Sequence, residues 1–110
     1  MVTPDHAERL ARNESFFRQV NERIRDIAGR HDYVEQEFLC ECADAGCTER
    51  ITLTVREYES IRSRPTRFVL VPGHAAPEIE EVVEKDDDHV VIDKVGVAGN
   101  IAAELDPRDS

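Results

Sequence analysis

Three cysteines fall within eight residues, Cys40-Glu41-Cys42-Ala43-Asp44-Ala45-Gly46-Cys47, and the rest of the chain has none. An odd number of thiols cannot close into a disulfide framework. Side chains two apart on an extended segment point to the same face, so Cys40 and Cys42 emerge together. A turn over Ala43–Gly46, with Gly46 free to take a positive φ, then returns Cys47 beside them. Three sulfurs so gathered have few uses. They are small apolar groups in a core, reactive thiols, or soft ligands for zinc, copper(I) or an iron–sulfur cluster. Core cysteines would be scattered along a chain, so the clustering favours the metal.

Zinc takes four tetrahedral ligands, and the triplet supplies three. His74 is the best fourth, because Pro72-Gly73 turns the chain just after a strand-like run and presents the imidazole on stiff backbone. His31, before the hairpin, and His89, at a strand start, are its rivals, with His6 further off near the terminus. Glu41, Asp44 and Glu49 are local oxygen ligands of lower quality for this metal. A site closed by Cys40, Cys42, Cys47 and His74 has no open position for substrate or activated water, so one structural zinc and no catalysis are expected. Two alternatives stay open. The cluster reads also as a redox or metal-stress sensor, and Cys42 or Cys47 with His74 as base could form a nucleophile pair.

Around the cluster the patterning predicts an α+β fold. Phe17, Val20, Ile24 and Ile27 recur at helical spacing between Pro4 and Gly29, with Phe16 beside them and Arg18, Gln19, Glu22, Arg25 and Asp26 on the face assigned to solvent. Gly29 is a left-handed stop. Residues 35–42 and 50–54 read as two strands of a hairpin resembling a zinc knuckle. Thr54 with Glu57 is a capping box that opens a short helix over 55–64, and Pro65 ends it. Residues 67–71, 80–85 and 89–95 are strands, the last two a hairpin across Asp86-Asp87-Asp88. The long helix is expected to pack on the small antiparallel sheet. One domain over 1–96 follows, with residues 1–12 fraying. Residues 97–110, small and polar with little to bury, are expected to be a disordered tail.

The net charge of −10 is uneven. Residues 1–33 carry six arginines and six acids, whereas residues 34–110 hold eighteen acids against eight basic groups. So negative a surface repels phosphate backbones, which excludes nucleic acid as the expected partner. The acidic run from Glu78 to Asp88 lacks the spacing of a calcium loop and reads as a solvated face with a hairpin turn. No stretch is long and apolar enough to span a membrane, and no basic-then-apolar leader opens the chain, so the cytoplasm is the expected compartment. There thiols stay reduced. No phosphate loop, nucleophile elbow or H-E-x-x-H is present. The apolar stripe of the first helix covers fewer than three heptads, which leaves a monomer or weak homodimer.

Phe38-Leu39-Cys40-Glu41-Cys42, Cys47-Thr48-Glu49, Leu53-Thr54, Glu57-Tyr58, Arg62, Pro65-Thr66-Arg67-Phe68 and Pro72-Gly73-His74 together form a recognisable string. It resembles a family of small acidic bacterial proteins that share an FxCEC…C…LTxxEY…PxxF…PGH signature, over roughly Phe16 to Val95. The resemblance implies that the three cysteines and the Pro-Gly-His belong to one signature, and it implies no activity. The expectation from sequence is thus a small zinc-binding module acting through a protein partner.

Overall fold

The structure is a computed structural model that describes residues 4–29 and 33–108. Its elements run α1 (Pro4–Ala28), β1 (Glu35–Leu39), β2 (Arg50–Thr54), α2 (Val55–Ile61), β3 (Arg67–Leu70), β4 (Glu80–Lys85), β5 (Val90–Lys94) and α3 (Gly96–Glu104). The strands divide into two small antiparallel sheets, β1-β2 and β3-β5-β4. The fold is mixed α+β, as the patterning predicts. No helix among the described residues is long and apolar enough to cross a membrane.

Local signals account for most element boundaries. Arg50–Thr54 alternates exposed and buried, with Ile51 and Leu53 facing inward. Glu35 to Leu39 pairs against it in register, Glu35 opposite Thr54 and Leu39 opposite Arg50. The Thr54 hydroxyl accepts from the Glu57 N–H at 3.1 Å, and the Glu57 carboxylate accepts from the Thr54 N–H at 2.9 Å. This box starts α2, whose Tyr58 ring stacks on Phe38 at 4.4 Å between centroids. Phe38, Leu53, Tyr58, Phe68, Leu70 and Ile92 form the centre of the main core, which both sheets and α2 share.

The long helix departs from its expected orientation. Phe17 is buried, but Phe16 is 61% exposed and Ile27 85% exposed. Buried in their stead are Glu14, Arg18 and Asn21, spaced four and three apart. Arg18, expected to face solvent, donates to the carbonyl oxygens of Pro65 at 2.5 Å and Ala102 at 2.7 Å. Its guanidinium lies 4.3 Å from the centroid of the Phe68 ring. Glu14 forms an ion pair with Lys94, which pairs also with Glu80 at 2.9 Å. A hydropathy stripe misses this face because long polar side chains bury aliphatic stems while their heads reach specific partners.

The two chain ends also differ from expectation, for one shared reason. Residues in the expected tail form α3, with Ala98, Gly99 and Ala102 buried. Ala7 and Ala11, in the stretch expected to fray, are buried with Ile79 and Ala98 in a second, smaller core. Each end covers the other. Small side chains supply little hydrophobic signal in sequence, yet they let α1 and α3 approach closely. Beyond α3, Asp106 pairs with Arg62, and Arg108 pairs with Glu22 at 2.9 Å and also with Glu59. These bonds pin the segment after α3 to the first two helices.

Gly99 tests this packing. A Cβ there would meet the Lys94 carbonyl oxygen at 2.9 Å, a backbone atom that cannot rotate away. Alanine ordinarily gains about 1 kcal/mol over glycine inside a helix. Gly99→Ala is nonetheless expected to lose about 1–3 kcal/mol through overpacking, read as a lower urea midpoint at unchanged slope.

Candidate metal centre

The centre lies where the two sheets meet. Beyond Leu39 the chain leaves β1 but keeps one more bond to its partner, the Cys40 N–H donating to the Glu49 carbonyl at 3.0 Å. One residue later the Glu41 N–H donates to the Val69 carbonyl of β3 at 2.8 Å. The Cys40–Cys42 segment therefore bridges the β1-β2 hairpin and the edge of the three-stranded sheet. The turn that brings Cys47 back is built by Asp44. Its carboxylate accepts from the Gly46 N–H at 2.9 Å and its carbonyl from the Cys47 N–H at 3.0 Å. Gly46 does not take the positive φ expected of it. The aspartate closes the turn through its own side chain, so left-handed backbone is unnecessary. Such a φ occurs instead at Gly73, +89°, where it turns β3 toward His74, whose N–H donates to the Val71 carbonyl at 3.1 Å.

Cys40, Cys42, Cys47 and His74 converge, their ligand atoms all within 4.8 Å of one another. They lie close enough to hold a metal ion. The Nδ1 atom of His74 lies 3.5 Å from Cys40 Sγ and 3.7 Å from Cys47 Sγ. A zinc tetrahedron with ordinary bond lengths has S···N edges of about 3.6 Å, so these separations suit a metal-sized gap. The donor set, three sulfurs and an imidazole, suits a thiophilic ion. The other candidates do not join the group: His6 and His89 lie outside it, and His31 falls outside the described residues. Asp44 is committed to its turn.

Burial grades the four side chains. Cys40 and Cys42 are each 1% exposed, whereas Cys47 and His74 are half-buried. Desolvation pushes the Cys40 thiol well above its ordinary range, opposed by the Val71 N–H, which donates to its sulfur at 3.2 Å. Burial raises the Cys42 thiol likewise. A bound dication reverses this preference, since a coordinating thiol is deprotonated outright. An N–H donor already aimed at sulfur stabilises that thiolate.

Two further residues support the centre, and sequence reasoning missed both. Glu41, offered above as a weak oxygen ligand, is fully buried and turned into the protein. Its carboxylate accepts from Asn21 Nδ2 at 2.8 Å, the Tyr58 hydroxyl at 3.0 Å and the Val69 N–H at 3.0 Å. Burial pushes its carboxyl above the usual range, and these three donors pull it back. Asn21 also clamps the residue before Cys40, accepting from the Leu39 N–H at 2.7 Å and donating to its carbonyl at 2.9 Å. The one available signal was positional, since residue 41 lies between two ligands and must face away from them.

No family model, curated protein or solved structure matches the chain in the comparisons made.

The grading predicts an order of thiol reactivity. In metal-free protein Cys47 is expected to be alkylated first, with Cys40 and Cys42 following slowly, as peptide mapping by mass spectrometry would record. Equal rates at all three would contradict the burial pattern.

Proposed function

We propose that the protein is a small, non-catalytic zinc-binding module in which Cys40, Cys42, Cys47 and His74 hold one structural ion. The observation that carries this reading is the convergence of the four donor atoms within 4.8 Å. Four protein ligands complete a tetrahedron and leave no coordination site for chemistry on a substrate. Zinc suits a closed Cys3His set in a compartment that keeps thiols reduced, which makes the cytoplasm the proposed location. Function then runs through contact with another protein. The acidic strand β4, whose Val82 and Val83 are about two-fifths exposed, supports that role.

Protein purified without a histidine tag is expected to carry about one equivalent of zinc and Cys42→Ser less than half. Chelation is expected to lower the melting temperature by at least about 10 °C, because zinc bound only by the folded state adds its binding energy to stability. A wild-type protein holding under half an equivalent, unchanged in Cys42→Ser, would overturn the reading.

The half-exposure of Cys47 favours one second reading, a thiol-based redox or metal-stress sensor. A hydroperoxide would oxidise the Cys47 thiolate to a sulfenic acid with release of an alkoxide. A neighbouring cysteine would then displace water from it to form a disulfide, ejecting the metal. Thiol titration in denaturant after peroxide separates the readings: one thiol remaining supports the sensor, and three remaining removes it.

A further inference from the structure

The second-sphere arrangement around Glu41 is more elaborate than packing requires. A carboxylate at 0% exposure loses several kcal/mol of hydration, and an apolar side chain of similar volume is often at least as stable. Glu41 is also held by neutral donors, an amide, a phenol and a backbone N–H, so no strong ion pair offsets that loss. What these bonds achieve is placement. The Glu41 N–H meets the Val69 carbonyl, and the Val69 N–H meets the Glu41 carboxylate at 3.0 Å. The side chain thus stands where a strand's own carbonyl would complete the ladder, at a point where β1 has already ended. The second carboxylate oxygen ties the same residue to α1 through Asn21 and to α2 through Tyr58. Three elements therefore fix the peptide between Cys40 and Cys42 without touching either sulfur.

We infer that Glu41 is a positioning residue for the metal ligands, with Asn21 as its partner: together they hold the Cys40–Cys42 segment against β3 so that both sulfurs meet Cys47 and His74 before the ion arrives. This rests on the metal-binding reading above. It assigns to the buried carboxylate a share of metal affinity, separate from its share of fold stability. Glutamine at this position keeps the shape but puts an NH2 group where one of three donors now finds an acceptor, so the segment must shift.

The test compares wild type, Glu41→Gln and Ile79→Ala, the last being a control in the smaller core among Ala7, Ala11 and Ala98. Zinc affinity is read by competition with a chromophoric chelator, and the ligand geometry by the absorption spectrum of the cobalt(II) form. Unfolding of each metal-free protein gives its stability. Glu41→Gln is expected to weaken zinc about 10- to 100-fold and to alter the cobalt spectrum. Ile79→Ala is expected to lose stability while keeping wild-type affinity and spectrum. Wild-type affinity in Glu41→Gln, or equal loss in both variants at matched stability, overturns the positioning role and leaves the metal site standing. A wild type that takes up neither ion overturns the metal reading itself. Should Glu41→Gln fail to fold, Tyr58→Phe removes one donor alone and is expected to weaken zinc in the same direction, unchanged affinity again counting against the proposal.

Discussion

The hydrogen bonds between Glu41 and Val69 join the β1-β2 ribbon to the three-stranded sheet. Each sheet is too small to bury a face alone: β1-β2 is a two-stranded ribbon, and the other has three strands of four to six residues. Isolated ribbons of this kind are marginal in water. The joint lets both contribute to one core, with Phe38 and Ile51 from the first sheet packed among Phe68, Leu70 and Ile92 from the second. It also decides where chemistry can occur. Cys40 and Cys42 leave one sheet at this point, and His74 leaves the other, so the donors meet because the sheets do.

Polar groups bind the remaining layers. Lys94 lies fully buried between Glu14 and Glu80, with its ammonium 4.9 Å from the centroid of the Phe68 ring. Burial pulls the Lys94 ammonium down to about 7 and pushes the Glu80 carboxyl up to about 7. Pairing works against both shifts, because each charge lowers the cost of the other. Removing Lys94 would leave two buried carboxylates with no cation between them, which is far more damaging than never having built the set. The same logic extends to Arg62, buried between Glu22 and Asp106.

The legibility of the fold in the sequence followed the range of the signals. Thr54 and Glu57 report a helix start within four residues, and the alternation of Arg50–Thr54 reports a strand within five, so these elements are readable locally. The Cys/His cluster was readable for a related reason: three of its members lie in one octapeptide, and the fourth follows a Pro-Gly turn. What escaped was everything whose meaning lies at a distance. Nothing near Arg18 announces that the carbonyl of Ala102, eighty-four residues on, will accept a hydrogen bond from it. Alanine and glycine in α3 carry almost no hydropathy signal, although their smallness is what lets the helix dock. Asn21 looks like an ordinary solvated residue until Leu39 and Glu41 stand beside it.

The inward stripe of α1 has a consequence for uniqueness. Glu14, Arg18 and Asn21 each have a separate address, on β5, on α3 and beside β1. A purely greasy helix could slide by a turn or roll by a few tens of degrees and still hide its surface. Here any such slip would strand three polar heads among hydrocarbon at once. The helix works as a key with three teeth, and it can seat in one way only.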